Sequence, residues 1–248
     1  MPEISTRDFD AVLFDMDGVV TRTADVHAFA WKETFDRLLR ERAGDSGAPF
    51  EPFDPNRDYK LHVDGKPRLD GIRDFLAARG IDLPEGSEED DPGTGTVQSL
   101  ARLKNDRFHL LLERDGVRAF ESTVKLIREL RERKIHTAII SSSKNCEAVT
   151  KAAGVDHLFD TRVAGVESAE RGLAGKPAPD IFLEAARELG VPRERAVVVE
   201  DAISGVQAGA AGGFGMVIGV DRDGDPERLR EAGADIVVAD LAEISLSP

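Results

Sequence analysis

Two aspartates one residue apart, Asp15 and Asp17, follow a short apolar run, Ala11 to Phe14, and are followed at once by Gly18. An apolar run of that length stopped by a turn residue reads as a buried strand. Ligand-handling groups in open α/β sheets collect just past the carboxyl ends of such strands, so both carboxylates would stand at the mouth of a sheet. The ordinary alternative is a surface turn, since Asp and Gly are common turn residues.

Three further stretches put chemically able side chains at expected strand ends. Ser141, Ser142, Ser143, Lys144 and Asn145 follow an apolar strand and open a helix, where hydroxyls and free N–H groups suit a phosphate, although serine there could equally cap the helix. Lys176 sits in Gly175-Lys-Pro-Ala-Pro-Asp180, where two prolines stiffen the loop; a solvated lysine is the plain alternative. Val197, Val198 and Val199 lead into Glu200 and Asp201. An apolar strand end is a costly place for unpaired charge, so these carboxylates either cap the next helix through Asp201 or share a cation. Mg²⁺ takes one or two carboxylates and keeps waters, and Asp15 with Asp201 would supply that set. A carboxylate attacking a phosphoryl group works against repulsion and needs a metal, a lysine and hydrogen-bond donors around the transferring oxygens. Asp15, Asp17, Ser141, Lys176, Glu200 and Asp201 make up that inventory.

The elements that must position these residues alternate in type. From Phe120 onward an amphipathic helix, Ser122 to Arg133, leads into strand candidates Thr137–Ile140, Thr161–Ala164, Ala196–Val199, Met216–Val220 and Ile236–Val238, separated by helical stretches. Such alternation implies right-handed crossovers and a parallel sheet, about six strands with Ala11–Phe14 included. Between Thr23 and about Asp115 no strand is evident. Helices are expected from Thr23 to about Ala43, near Asp58–Val63, from Leu69 to Arg79 and from Val97 to Arg114. A loop is expected around Gly44–Pro55, and an acidic, glycine-rich excursion over Leu83–Thr96 has little apolar to fold on. The reading is therefore an α/β protein with a discontinuous Rossmann-like core, residues 1–22 and 116–248, and an all-helical cap domain, residues 23–115, inserted after the first strand.

Bulk properties exclude several classes. The 248 residues carry 33 Lys and Arg against 47 Asp and Glu, a net charge of -14, with no dense basic run, so nucleic acid is not an expected partner. One cysteine, Cys146, rules out an internal disulfide and a thiolate metal site. The opening residues, MPEISTRDFD, have neither a basic leader nor an apolar core, so the expectation is a cytoplasmic protein without a membrane anchor, acting as a monomer.

D-M-D-G-V-V, the Ser141 strand end, G-K-P and V-E-D-A-I-S-G-V-Q-A-G resemble, in order from Asp15 to Gly209, the four motifs of the haloacid dehalogenase superfamily of phosphotransferases. The resemblance implies that Asp15 is the nucleophile that becomes an aspartyl phosphate and Asp17 the general acid and base. It implies that Ser141 and Lys176, with Ser142, Ser143, Lys144 and Asn145 beside them, hold phosphate. Mg²⁺ would be held by Asp15, Glu200, Asp201 and the main-chain carbonyl of Asp17. The inserted segment is similar to the cap of β-phosphoglucomutases in Thr23–Lys32, Gly65–Arg68, Leu103–Asp106 and Ser141–Asn145. This implies that Arg68 and Lys104 grip a second, non-transferring phosphate, with His27 orienting Asp17 or the sugar and Thr23 at the hinge. His27 also reads simply as a polar residue on a helix face beside Trp31, and its motif occurs in caps of plain sugar phosphatases. Leu103 stands where such enzymes usually carry an arginine, and Gly44–Arg57 and Leu83–Thr96 are longer than in the family; both bear on substrate identity.

The function expected is Mg²⁺-dependent interconversion of β-glucose 1-phosphate and glucose 6-phosphate, an isomerase of carbohydrate metabolism. The alternatives are a phosphatase for small sugar phosphates and, from another class, a noncatalytic module that kept the fold.

Overall fold

The computed structural model describes residues 2–47 and 49–248. In chain order the strands are β1 (Glu3–Ser5), β2 (Ala11–Asp15), β3 (His136–Ile140), β4 (Thr161–Val163), β5 (Ala196–Glu200), β6 (Met216–Val220), β7 (Ile236–Val238) and β8 (Ser245–Ser247). The helices are α1 (Ala24–Ser46), α2 (Arg68–Ala78), α3 (Val97–Asp115), α4 (Glu121–Glu132), α5 (Cys146–Ala152), α6 (Gly165–Arg171), α7 (Asp180–Leu189), α8 (Ile203–Gly212) and α9 (Pro226–Glu231). The chain divides into two compact units: one runs up to Arg22 and resumes from Val117 to Pro248, and the other is Thr23–Gly116.

The first unit is a parallel sheet of six strands in the order β4-β3-β2-β5-β6-β7, with helices as crossovers. β2 and β5 are buried along their whole length, which is why they read as unbroken apolar runs rather than alternating ones. Leu13, Ala138, Val163 and Val198 pack with Phe182 and Ala185 of α7 and Val206 and Ala208 of α8. The chain leaves β2 for β3 on one side and returns to β5 on the other, so the carboxyl ends of β2 and β5 form the switch point at which open α/β sheets place their ligands. β1 and β8 form a separate parallel pair. Three residues in each are too few to show a strand period, even with Ile4 of β1 fully buried, and the sequence pattern passes over them.

The second unit is helical. Trp31, Phe35 and Leu38 of α1, Ile72 and Phe75 of α2 and Val97 and Leu100 of α3 form its core, with the Phe35 and Phe75 rings 4.0 Å apart. Both long stretches are tied into it. Phe53 is buried in the core, and its N–H donates to the buried Asp36 carboxylate at 2.7 Å, so the Gly44–Pro55 segment is anchored at its far end. α1 itself runs past Ala43 to Ser46 and ends on Gly47 in the left-handed region, φ 69°.

The expected helix at Asp58–Val63 forms as a single wide turn, Tyr59–Val63, closed by Asp64 N–H donating to the Tyr59 carbonyl at 3.0 Å. The Leu83–Thr96 excursion lacks regular structure but is not without support. Leu83 packs on the core, Arg102 Nη1 donates to the carbonyls of Glu89 (2.9 Å) and Asp90 (2.7 Å), and Thr96 caps α3 in a capping box with Ser99. Among the described residues no helix is long and apolar enough to cross a membrane.

Candidate active site

Strand register brings the candidate residues of the first unit together. Phe14 pairs with Val199 and Asp15 with Ile140, so Asp15 comes to lie beside Glu200 on one side, and Ser141 is the next residue on the other. Asp15 and Glu200 are buried, at 6% and 0% exposure, and the buried Lys176 ammonium donates to both carboxylates. The second Glu200 oxygen accepts N–H bonds from Asp201 and Ala202, each 3.0 Å. Gly205, in the first turn of α8, makes room for this: a Cβ there would lie 1.8 Å from Glu200 Oε1. Gly18 does the same for Asp201, since its Cβ would sit 1.7 Å from Asp201 Oδ2, and at φ +82° the backbone itself favours glycine. Helix α8 is capped at Ala202, so Asp201 is not the N-cap residue and its carboxylate is accounted for at the sheet mouth instead.

The cluster is crowded with charge and could hold a cation. Burial and the neighbouring Glu200 push the Asp15 carboxyl well above the usual carboxylate range, against the pull of Lys176. Burial disfavours the Lys176 ammonium, but Asp15 and Glu200 outweigh it and hold the amine above its ordinary range. One lysine thus leaves residual repulsion among the carboxylates. Asp15, Glu200 and Asp201 offer oxygens within 4.8 Å of one another, the all-oxygen donor set that suits a hard divalent cation such as Mg²⁺.

The serine stretch leads directly into α5, with Asn145 at its N-cap, and Ser141 Oγ accepts Ser143 N–H while Ser143 Oγ accepts Asn145 N–H, each 3.1 Å, closing two turns just ahead of the helix. Ser141 is buried beside Asp15, Ser142, Ser143 and Asn145 are partly buried, and Lys144 is exposed.

The helical unit gathers its own set. Thr23 is the buried N-terminal cap position of α1. One turn on, His27 stacks on Phe108 at 4.1 Å and its Nδ1 lies 2.6 Å from Lys104 Nζ. Nδ1 accepts there, which places the ring proton on Nε2. Lys104 is buried and lies 5.0 Å from the Trp31 ring centre and 4.8 Å from that of Phe108, so its charge is held by ring faces. Arg68, at the start of α2, donates to the Ala101 carbonyl at 3.2 Å and to Asn105 Oδ1 at 2.8 Å. Burial lowers the pKa of this guanidinium, with Asp106 opposing.

Residues 9–213 match the haloacid dehalogenase-like hydrolase family. The chain is also 47% identical over 237 residues to the β-phosphoglucomutase of Mycobacterium bovis, covering 94% of this chain and 90% of that one. The chain belongs to the haloacid dehalogenase-like hydrolases. Among solved structures, the β-phosphoglucomutase of Clostridium difficile superposes with TM-score 0.75 at 23% identity, over 95% of this chain and 92% of that one. CbbY of Rhodobacter sphaeroides, in complex with xylulose 1,5-bisphosphate, superposes with TM-score 0.70 at 27% identity, over 96% and 97%.

In this haloacid dehalogenase-like hydrolase two residues to which the sequence assigns no site role join the set: Asn105, within Leu103–Asp106, holds Arg68, and Phe108 faces both His27 and Lys104. Helical spacing from Lys104 could have found Phe108 at the fourth position on. Gly205 was visible only as a letter in a motif, since its reason is the Glu200 carboxylate packed on it.

Proposed function

We propose that the chain is a Mg²⁺-dependent mutase that interconverts β-glucose 1-phosphate and glucose 6-phosphate by way of a phosphorylated Asp15. The observation that carries this reading is the buried Lys104 and the partly buried Arg68 of the helical unit, added to a core set that already has the lysine and carboxylates of phosphoryl transfer. A phosphatase acting on a substrate with one phosphoryl group has no need of a second cationic grip. Identity of 47% to a mycobacterial β-phosphoglucomutase supports the sugar, and the bisphosphate bound by CbbY supports a ligand with two phosphates.

In this reading phosphorylated Asp15 presents its phosphoryl group to the 6-hydroxyl of β-glucose 1-phosphate. Asp17 takes the hydroxyl proton as the sugar oxygen bonds to phosphorus and the Asp15 oxygen leaves. The resulting glucose 1,6-bisphosphate turns end for end. Asp15 then attacks the 1-phosphate, the bond from phosphorus to the sugar O1 breaks, and Asp17 returns its proton to O1, releasing glucose 6-phosphate. Lys176 and Ser141 hold the transferring phosphoryl group, with Ser142, Ser143, Lys144 and Asn145 lining its approach. Arg68 and Lys104 hold the other phosphate, His27 orients Asp17 or the sugar, and Thr23 is the hinge between residues 1–22 with 116–248 and residues 23–115. Mg²⁺, held by Asp15, Glu200, Asp201 and the Asp17 carbonyl, would neutralise the oxygens that otherwise repel the attacking carboxylate.

The test follows both products by phosphorus NMR, starting from β-glucose 1-phosphate, Mg²⁺ and a trace of glucose 1,6-bisphosphate. Glucose 6-phosphate should form much faster than inorganic phosphate. Stoichiometric phosphate, with no glucose 6-phosphate and no stimulation by the bisphosphate, would replace this reading with a sugar phosphatase.

A further inference from the structure

Arg222 follows β6 and takes no part in the steps above, yet it reaches the loop that carries Asp17. Its Nε donates to the Gly18 carbonyl at 2.7 Å and its Nη1 to the Ala239 carbonyl at 3.2 Å, while the guanidinium lies 3.9 Å from the centre of the Phe120 ring. The third nitrogen, Nη2, is buried without a hydrogen-bond partner among the described residues. The base of the side chain is fixed too, because Asp221 Oδ1 accepts the N–H groups of Asp223, Gly224 and Asp225 at 3.0, 2.9 and 3.2 Å.

These contacts make poor sense as a stability device. An apolar side chain on Phe120 would bury as much surface without leaving a donor unsatisfied, and the unsatisfied donor costs stability. Burial lowers the pKa of the guanidinium, and Arg22, which also lies over Phe120 at 4.3 Å, adds to this while Asp201 and Asp240 oppose it. What an apolar side chain could not supply here is a donor on the Gly18 carbonyl, together with the second one on Ala239. That residue is pinned from both ends of its peptide frame: its N–H donates to the Thr21 carbonyl at 2.8 Å and its carbonyl accepts from Arg222. Its positive φ is a conformation in which it depends on such pins to hold Asp17 in place. Phe120 is part of the same frame, its N–H donating to the Val20 carbonyl at 3.0 Å.

We infer that Arg222 is a positioning residue for phosphoryl transfer: by holding the Gly18 carbonyl it fixes the turn that presents Asp17 beside Asp15. The inference rests on the acid and base role proposed for Asp17 but not on the identity of the sugar.

Its test uses Arg222→Met, which keeps length and contact with Phe120 but cannot donate, and Arg222→Lys, which can donate once. Hydrolysis of acetyl phosphate with saturating Mg²⁺ is compared with backbone hydrogen exchange of a peptide spanning residues 15–22. A displaced acid and base acts on the chemical step, so in Arg222→Met kcat should fall about 10- to 100-fold with KM within about threefold. Exchange in the peptide should quicken about tenfold or more while that of β3 and β5 stays unchanged, and Arg222→Lys should recover at least part of both. Unchanged exchange in 15–22, or a loss that falls on KM or on exchange throughout the sheet, would overturn it. If the parent protein turns over no phosphate ester, the reading of Asp15 and Asp17 fails on that result, and the exchange comparison still decides whether Arg222 holds the loop.

Discussion

Gly205→Ala is the sharpest test of how the carboxylates are held. In most helices this change stabilises, since alanine is the better helix former by up to about 1 kcal/mol. Here the new Cβ would lie 1.8 Å from Glu200 Oε1 and 2.0 Å from its Cδ. The carboxylate would have to retreat by more than an ångström, and with 0% exposure it has no open direction to take. Retreat breaks the N–H bonds from Asp201 and Ala202, both 3.0 Å, and disturbs the pairing with Lys176. Hydrogen bonds to a charged group contribute about 1.5–3 kcal/mol each, and overpacking costs about 1–3 kcal/mol. After the helix gain of about 1 kcal/mol, the net loss should be about 3–8 kcal/mol, a fall of roughly 6–32 °C in the thermal midpoint of a chain this size. Gly44→Ala is the control: it also lies within a helix, α1, but nothing approaches its Cβ within 4 Å, so it should gain about 0.5–1 kcal/mol. Midpoints from far-ultraviolet circular dichroism and turnover of acetyl phosphate give both readouts. A Gly205→Ala protein melting within about 2 °C of the parent, with turnover within about threefold, would show that Glu200 is not held as described.

Asp15→Asn should abolish turnover with the fold intact, and retention of more than about one per cent of activity would exclude a covalent nucleophile at this position. The same variant tests the crowding of the carboxylates. Because burial and Glu200 raise the Asp15 carboxyl, its contribution to metal-free stability is full only below the ordinary carboxylate range and is lost as pH rises through the raised value. In EDTA, Asp15→Asn should therefore gain in denaturation midpoint relative to the parent between about pH 5 and pH 8, and a flat or opposite trend would contradict the assignment. Mg²⁺ at about 100 times its dissociation constant should stabilise the parent by about 2.7 kcal/mol and should do markedly less for Asp201→Asn, as seen in melting with and without EDTA. Arg68→Ala and Lys104→Ala should each cost on the order of 2 kcal/mol or more in kcat/KM for a sugar phosphate while sparing acetyl phosphate; equal losses on both would assign these cations to folding.

Sequence alone determined the six strands of the main sheet and which of their ends carry the candidate site residues. A strand buried on both faces must be apolar throughout and must stop where polar groups can reach water or a ligand, so Ala11–Asp15 and Ala196–Glu200 announce both the sheet and its mouth. The missing strand period between Thr23 and Asp115 likewise announced a helical insertion, since aromatic and leucine spacing there follows the helix. Tertiary structure alone decided the partnerships. Lys176 meets Asp15 across 161 residues and Arg222 meets Gly18 across 204, and no local pattern encodes a contact closed over such a distance. Register set the rest: Asp15 stands beside Glu200 because Phe14 pairs with Val199, and a slip of one residue between β2 and β5 would turn the two carboxylates to opposite faces of the sheet. The serine stretch shows the limit from the other side. Its composition allowed a helix start or a turn, and the structure has both: the hydroxyls accept the N–H groups of Ser143 and Asn145, and Asn145 is then the N-cap of α5.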